Sequence, residues 1–225
     1  MAVIFDFDGV IADTEPLHYR AFQEVLKPFG LEYSWDEYVS TYIGFDDRDA
    51  FRQVFRAAGR ELPAEGLAAL INSKAGLFER IVHQGVTVYP GVISLISELK
   101  GAVPLALCSG ALRSDILPIL DSMGILDAFD VLVTADDVTE SKPDPQSYLL
   151  AVERLADSFP DRNIAADCCI AIEDTPSGIA SATMAGVCVL AVTNSYDLGK
   201  LEGAVHVTDS LESVTVDMLE KLIGK

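Results

Sequence analysis

Residues 2–9 read Ala2-Val3-Ile4-Phe5-Asp6-Phe7-Asp8-Gly9. The uninterrupted apolar run is typical of a buried strand, and Gly9 permits a tight turn after it. Because side chains alternate along a strand, Asp6 and Asp8 are expected on the same side, with Phe7 opposite. Two like charges this close repel each other, so we expect a cation between them or a proton on one of them.

Similar short apolar segments recur along the chain and alternate with segments of helical period. The predicted strands are residues 2–7, 105–109, 131–134, 169–172 and 187–192. This alternation predicts an α/β fold in which crossover helices connect the strands of a parallel sheet. Residues 14–85 interrupt the alternation, because they contain at least four segments of helical period and no convincing strand. We therefore predict an α/β core of residues 1–13 and 86–225 and an inserted all-helical domain of residues 14–85.

The composition narrows the classes of partner. The 225 residues include 16 Lys and Arg against 35 Asp and Glu, a formal net charge of −19. Half of the residues are hydrophobic, which is enough for a folded core and excludes a disordered acidic chain. We expect no binding of nucleic acid or of an anionic membrane surface, because both attract basic patches.

The compartment is predicted from the N-terminal residues and the cysteines. The sequence has no basic segment typical of a signal peptide and no apolar run approaching the roughly 18 residues that span a membrane. Its four cysteines lack paired C-x-x-C spacing, and Cys108 and Cys188 lie in apolar runs. We expect buried, reduced thiols and therefore a cytoplasmic protein.

A second acidic motif, Glu173-Asp174-Thr175-Pro176, follows another predicted strand. Thr175 is expected to cap the next helix, with Pro176 at its first position. Glu173 and Asp174 precede the cap, at a strand end where they are expected to meet the two aspartates of the first strand. Carboxylate oxygens are ligands that suit Mg²⁺. The alternative is structural, with ordinary strand-end turns and acids that complement a helix dipole.

Two other strand ends offer groups that bind an anion. Ser109-Gly110 supplies a hydroxyl and main-chain N–H groups just before a predicted helix. Pro143 restricts Lys142 to extended backbone, which fixes the base of this lysine at a strand-to-helix junction. Taken singly, each motif is also compatible with an ordinary turn and a surface lysine.

Together, these motifs resemble those of the haloacid dehalogenase superfamily in order and context. The resemblance covers essentially the whole chain and points to the branch of β-phosphoglucomutases and sugar phosphatases. It is carried by Asp8-Gly9-Val10-Ile11-Ala12-Asp13-Thr14-Glu15-Pro16-Leu17-His18 and by Glu173-Asp174-Thr175-Pro176-Ser177-Gly178. It implies a Rossmann-like three-layer core and a helical cap formed by the inserted domain.

The resemblance also implies a reaction. Asp6 would attack phosphorus and form an aspartyl-phosphate, and Asp8 would act as general acid and then as general base. Ser109 and Lys142, with Gly110 beside them, would hold the phosphoryl oxygens.

The resemblance further implies a Mg²⁺ site. Asp6, the main-chain carbonyl of Asp8 and Asp174 would hold the ion, and Glu173 would support it directly or through water.

Three basic residues of the inserted domain lie on apolar helix stripes, namely His18, Arg48 and Lys74. Lysine and arginine rarely occupy buried faces unpaired. In one interpretation they extend to solvent or pair with acids, such as the aspartates on either side of Arg48. In the other they bind the substrate, and the cap branch of the family has substrate-binding basic residues in comparable places.

We expect a monomeric, Mg²⁺-dependent phosphohydrolase of a small phosphorylated metabolite, a phosphomonoester of the sugar-phosphate class. The alternative is a phosphomutase of the β-phosphoglucomutase type. Ala111 and Leu112, which follow Ser109-Gly110, do not provide the second hydroxyl and the polar pair expected for a second phosphate, although Arg113 partly compensates. A remote alternative is a non-enzymatic phospho-aspartate receiver domain, which is much shorter and has no helical cap.

Overall fold

The computed structural model describes residues 1–43, 45–82 and 84–223. The chain forms two compact units, one of Met1–Asp13 with Val88–Lys225 and the other of Thr14–Thr87. The first unit is built on a six-stranded sheet and the second is built from helices. The sequence predicts the corresponding boundaries after residues 13 and 85.

The described residues contain strands and helices whose bounds are as follows. The strands are β1 (Ala2–Phe5), β2 (Ala12–Asp13), β3 (Thr87–Val88), β4 (Leu105–Cys108), β5 (Val131–Val133), β6 (Cys169–Glu173), β7 (Cys188–Val192) and β8 (His206–Thr208). The α-helices are α1 (Glu15–Leu26), α2 (Trp35–Glu37), α3 (Asp47–Ala57), α4 (Ala64–Val82), α5 (Val92–Leu99), α6 (Arg113–Ser122), α7 (Gln146–Ser158), α8 (Pro176–Met184) and α9 (Val216–Ile223).

The main sheet is parallel throughout, with the strand order β5-β4-β1-β6-β7-β8. Strand β1 lies at its centre, where Val3 is in register with Leu105 of β4 on one side and with Ile170 of β6 on the other. All four residues of β1 are buried, as expected when helices cover both faces of a parallel sheet. The predicted Rossmann-like α/β fold is confirmed. The five predicted strands are all present in the main sheet, and β8 is its sixth strand. The two-residue strands β2 and β3 were not predicted either.

The core on one face of the sheet is made by alternate strand residues and two helices. Ala2 and Ile4 of β1 pack in the same cluster as Tyr148 of α7 and Ile179 of α8. Helix α7 packs against β4 and β5, and α8 packs against β6 and β7. These two helices follow the polar strand ends of the sequence, so their first turns lie at the carboxyl edge of the sheet.

The helical unit contains the predicted helices. Helix α2 continues into a π-helical segment, Tyr38–Tyr42, and α1 ends in a short 3₁₀ segment that Gly30 terminates with a φ of 64°. Helix α1 packs against α4, and aromatic rings fill the core, among them Phe22 and Phe51 at 5.0 Å between centroids. No strand occurs between residues 14 and 85 in the part of this unit that the structure describes.

The outer strand of the sheet, β5, is tied down by two arginines. Arg113 and Arg154 each donate a hydrogen bond to the main-chain carbonyl of Leu132, and each forms an ion pair with Asp137. Burial raises the pKa of Asp137, but hydrogen bonds from Arg154, Thr134 and Arg113 outweigh it and lower the pKa to about 2. Arg113 is therefore engaged with the edge of the sheet.

Within the described ranges, no helix has the length and apolar character that crossing a membrane requires. All four cysteines are free, and Cys108 and Cys169 are buried.

Candidate active site

Three central strands end next to one another and bring the predicted site residues together. Strand β1 lies between β4 and β6, and all three run in the same direction. Asp6 directly follows β1, Ser109 directly follows β4, and Glu173 is the last residue of β6. The main-chain N–H of Asp6 donates to the carbonyl of Ile172 in β6. This is the edge at which open α/β sheets bind ligands.

Lys142 reaches into this edge with its ammonium group. Its Nζ donates to Oδ1 of Asp6 at 2.9 Å, to Oε1 of Glu173 at 2.7 Å and to the carbonyl of Cys108 at 3.1 Å. An ammonium has three N–H donors, so these three acceptors fix its orientation. Burial opposes the charge of Lys142, but Asp6 and Glu173 raise its pKa well above the usual range. The two acids therefore favour the charged form of Lys142.

The loop that carries Lys142 is held by its own polar groups. The side-chain carbonyl of Gln146 accepts hydrogen bonds from the main-chain N–H groups of Thr139 and Glu140. Oδ1 of Asp144 accepts from the main-chain N–H of Gln146, the first residue of α7. These bonds place Lys142 at the strand-to-helix junction that the sequence predicts.

Glu173 is completely buried and surrounded by donors. Its Oε1 accepts from Lys142 and, at 2.7 Å, from the hydroxyl of Tyr148. Its Oε2 is approached by the main-chain N–H groups of Asp174 and Thr175 and by the Thr175 hydroxyl, at 3.1 to 3.4 Å. A carboxylate offers about four lone-pair sites, so Glu173 is an anchored anion.

The buried carboxyl groups of Asp6, Glu173 and Asp174 form a cluster suited to a metal ion. One oxygen of each lies within 4.8 Å of the others. Burial, and next the charge of Glu173, raise the pKa of Asp6 well above its usual range, against the opposing effect of Lys142. A hard divalent cation would relieve this repulsion, and an all-oxygen set is what Mg²⁺ prefers. The residues present therefore fit the ion that the sequence predicts.

Asp8 is placed differently from these three acids. Its Oδ2 accepts a hydrogen bond from the hydroxyl of Ser109 at 3.3 Å, and its carboxylate is not part of the cluster formed by the described acids. Ser109 is buried, and its Oγ also accepts from the main-chain N–H of Ala111. Gly110 lies between them in the loop before α6, partly exposed, with open space where a Cβ would be.

Two glycines make room for the acids. Gly9 has a φ of 75°, and a Cβ there would lie 1.8 Å from Oδ2 of Asp174. A Cβ on Gly178, in the first turn of α8, would lie 2.0 Å from the carboxyl carbon of Glu173. The turn at Gly9 is further held by Asn194, whose side-chain amide donates to the Gly9 carbonyl at 2.6 Å. Asp174 and Glu173 are therefore each packed closely against the main chain of a glycine.

The predicted basic residues of the helical unit are paired with acids and with each other. Lys74 is 1% exposed, and its Nζ lies 2.7 Å from Nδ1 of His18 and 2.7 Å from Oδ1 of Asp47. Arg48 donates from Nε to Oδ2 of Asp46 at 2.7 Å. Lys74 and Arg48 are therefore each paired with an aspartate at the start of α3.

The aromatic core of the same unit surrounds the Lys74 ammonium. Nζ lies 5.1 Å from the ring centroid of Phe22 and 5.0 Å from that of Phe78, on which the His18 ring is stacked. Both distances are typical of cation–π contacts, which stabilise a desolvated ammonium.

Comparison with known proteins supports the resemblance seen in the motifs. The model of a family described as haloacid dehalogenase-like hydrolase matches residues 3–192. The chain belongs to this family. It is 31% identical, over 221 residues, to a phosphorylated carbohydrates phosphatase of Thermotoga maritima, covering 96% of this chain and 97% of the relative.

Solved structures of the family have the same fold. The protein CbbY of Rhodobacter sphaeroides, solved in complex with phosphate, matches with a TM-score of 0.86 and 25% identity, over 97% of this chain and 98% of that one. A β-phosphoglucomutase of Clostridium difficile matches with a TM-score of 0.87 over 99% and 96%. At 23% identity, this second likeness concerns the fold alone. The chain is thus an enzyme of the haloacid dehalogenase-like hydrolases, and a phosphatase is among the relatives that it matches.

Sequence reasoning missed two residues of this family member's site. Tyr148 lies six positions after Lys142 and on the buried face of α7, where its hydroxyl needs a partner. That polar group in an otherwise apolar stripe was the available signal. Asn194 follows β7 in a polar loop, and the sequence carries no signal that links it to Gly9.

Proposed function

We propose that the protein is a Mg²⁺-dependent phosphohydrolase that acts on a small phosphomonoester of the sugar-phosphate class. The observation that carries the proposal is the pairing of Asp6 with Lys142 beside two further buried acids, at the carboxyl edge of the sheet. The Thermotoga relative, which is named a phosphatase of phosphorylated carbohydrates, supports the substrate class.

In the proposed reaction, a carboxylate oxygen of Asp6 attacks phosphorus and forms an aspartyl-phosphate. The bond from phosphorus to the ester oxygen breaks, and this oxygen takes a proton from the carboxyl group of Asp8. Asp8 then accepts a proton from a water molecule, whose oxygen attacks phosphorus. The bond from phosphorus to the Asp6 oxygen breaks, so that inorganic phosphate leaves and the Asp6 carboxylate is restored.

Lys142, Ser109 and Gly110 are proposed to hold the phosphoryl oxygens. Lys142 brings a fixed positive charge, Ser109 a hydroxyl and Gly110 a main-chain N–H. Such groups contribute because phosphoryl transfer depends chiefly on positioning and on neutralising the charge of the equatorial oxygens. Ser109 also contacts Asp8, so the phosphate-binding group and the proposed proton donor are adjacent.

Asp6 and Asp174, with the main-chain carbonyl of Asp8, are proposed to hold Mg²⁺. When bound, the ion supplies positive charge that offsets the acids and the phosphoryl oxygens. Glu173 is included in the metal-binding set, and the several donors that already surround it favour support of the ion through water.

His18, Arg48 and Lys74 are proposed to contact the organic part of the substrate. Asp47 and Asp46 offset the charges of Lys74 and Arg48. Such offset charges suit a neutral polyol better than a second phosphate. Together with the engagement of Arg113 at the sheet edge, this favours hydrolysis of a monophosphate over a mutase reaction that passes through a bisphosphate.

We further propose that the enzyme acts as a monomer in a reducing, cytoplasmic compartment. The four free cysteines support the reducing compartment.

The test is phosphate release from a panel of sugar monophosphates, with Mg²⁺ and with EDTA. We expect Mg²⁺-dependent release from at least one monoester, complete loss in Asp6→Asn, and no isomerisation of a hexose phosphate when a bisphosphate primer is added. Absence of turnover of every monoester with Mg²⁺ would refute the phosphohydrolase. Primed isomerisation that outpaces phosphate release would identify a mutase instead.

A further inference from the structure

Tyr148 contacts both Lys142 and Glu173, and no role has yet been assigned to it. It lies in the first turn of α7 and is completely buried. Its hydroxyl donates to Oε1 of Glu173 at 2.7 Å. Its ring centroid lies 5.1 Å from the Lys142 ammonium, within the range of a cation–π contact. The residue therefore contacts both members of the Lys142–Glu173 ion pair.

The oxygen that Tyr148 contacts, Oε1 of Glu173, is also the one that binds the Lys142 ammonium. Oε1 of Glu173 is shared between the Tyr148 hydroxyl and Lys142, whereas Oε2 faces main-chain N–H groups and the Thr175 hydroxyl. The main-chain contacts hold one end of the carboxylate, and Tyr148 holds the other. With both ends held, Glu173 presents Oε1 to Lys142 in a single orientation.

Packing alone does not require this hydroxyl. A phenylalanine would fill the same apolar volume, and a buried hydroxyl is costly unless it is hydrogen-bonded. A tyrosine hydroxyl is protonated at neutral pH and is therefore a donor, and here it donates to Glu173.

We propose that Tyr148 is a positioning residue that acts through Glu173 to aim the Lys142 ammonium at the phosphoryl group. This rests on the proposed function, in which Lys142 binds phosphate. The Tyr148 hydroxyl and Lys142 compete for Oε1 of Glu173. Without the hydroxyl, Oε1 attracts the Lys142 ammonium more strongly, and the ammonium moves towards Glu173. The distance from Lys142 to Asp6, and to a phosphoryl group beside it, then increases.

The test is the dissociation constant of inorganic phosphate, measured by calorimetry on the full chain with Mg²⁺ present. For Tyr148→Phe we expect binding about 10-fold weaker, the effect of losing a hydrogen bond to a charged group. The measurement is made at a temperature at which thermal denaturation shows the variant to be fully folded, so that weaker binding reports positioning and not an unfolded fraction. Binding equal to that of the wild type would overturn the proposal.

Tyr19→Phe is the matched control. The Tyr19 hydroxyl donates to the main-chain carbonyl of Tyr33 at 3.1 Å, in the helical unit. This substitution also removes a tyrosine hydroxyl oxygen, and we expect it to leave the dissociation constant of phosphate unchanged. Equal weakening in both variants would show that losing any such tyrosine hydroxyl has this effect, and the proposal would fail.

A double-mutant cycle with Glu173→Gln tests whether Tyr148 acts through Glu173. In the Glu173→Gln background, we expect Tyr148→Phe to change the phosphate dissociation constant less than twofold, because the shared partner has lost its charge. An undiminished 10-fold effect in that background would show that Tyr148 acts by another route.

If Tyr148→Phe does not fold, the crystal structure of the wild-type enzyme with phosphate decides. We expect the Tyr148 hydroxyl on Glu173 and Lys142 on the phosphate, and a Tyr148–Glu173 separation beyond hydrogen-bond distance would overturn the proposal. The two proposals fail in different ways. A wild type that turns over no monoester refutes the phosphohydrolase, whereas an active wild type with an unaltered Tyr148→Phe variant refutes the positioning role alone.

Discussion

Nζ of Lys74 lies 2.7 Å from Oδ1 of Asp47, and 1% of the lysine and 12% of the aspartate side chain are exposed. The ion pair joins α4 to the first turn of α3, in a unit whose core is otherwise aromatic and aliphatic. Buried pairs of this kind add little net stability compared with apolar residues, but losing one partner leaves the other charge uncompensated.

Asp47→Ala is therefore expected to destabilise the protein by about 3 kcal/mol or more, since Lys74 stays buried and loses the carboxylate that offsets its charge. The measurement is the free energy of unfolding in urea. Asp49→Ala is the control, because Asp49 pairs with Arg52 at 3.7 Å and is 44% exposed. The control should lose less than about 1 kcal/mol. Similar losses in the two variants would contradict the prediction.

Two helical glycines are expected to respond to alanine with opposite signs. Gly178→Ala places a methyl group 2.0 Å from the carboxyl carbon of Glu173, which is buried and anchored. We expect a loss of about 2 kcal/mol in the free energy of unfolding and a loss of activity, because Glu173 must leave Lys142 and Tyr148.

Gly76→Ala, in α4, is the matched substitution. The nearest atom to its new methyl group is Nη1 of Arg80 at 3.9 Å, an ordinary contact. Alanine in a helix interior is better than glycine, so stability should rise by about 0.5–1 kcal/mol. The free energy of unfolding of both variants is measured by chemical denaturation. A change of the same sign in both would refute the prediction.

Asp6→Asn is expected to stabilise the protein without divalent cations while abolishing turnover. The pKa of Asp6 is raised by burial and by Glu173, so an ionised Asp6 lowers stability once the pH exceeds its ordinary value of 3.8. Removing the charge should raise the melting temperature in EDTA at pH 7, by about 2–4 °C for each kcal/mol of unfavourable interaction that is removed. Differential scanning calorimetry measures this, and a lower melting temperature would show that the bond from Lys142 to Asp6 outweighs the repulsion.

The pH dependence of stability should reveal Asp137. Its pKa is lowered from 3.8 to about 2, so its ionised form favours the folded state. That contribution is present above pH 3.8 and is lost as the pH falls towards 2. Asp137→Asn should therefore be less stable than the wild type at pH 7, and the difference should shrink between about pH 4 and pH 2. Urea denaturation across this range is the measurement, and a constant difference would contradict it.

Much of the fold was predictable because its strands are short, continuous apolar runs. The predicted starts at Ala2, Leu105, Val131 and Cys169 are the observed ones. The first three of the predicted strands end earlier than predicted, although the N–H groups of Asp6 and Ser109 still donate to the neighbouring strands.

The strand of the main sheet that sequence reasoning missed, His206–Thr208, has one apolar residue between two polar ones. Nothing in the sequence of so short a segment distinguishes a strand from a loop. The segment is a strand because it pairs with β7.

The candidate site was predictable where its residues stand at strand ends. Parallel strands bring their carboxyl ends to one edge, so Asp6, Ser109 and Glu173 were expected to meet before any distance was known. The partner of Tyr148 was not predictable, because its contact with Glu173 depends on how α7 packs against the sheet. The partner of Lys74 was also hidden, since Asp47 is 27 residues away and was one of three aspartates around Arg48.

The arginine pair on Leu132 also matters for how the protein behaves at high concentration. Strand β5 is an outer strand of the sheet, and an outer strand with vacant main-chain acceptors can recruit a strand from another molecule. Here the carbonyl of Leu132 already accepts from Arg113 and Arg154, and Asp137 anchors both guanidinium groups. An incoming strand would have to displace two anchored cations, so this side of the sheet is protected against edge-to-edge aggregation.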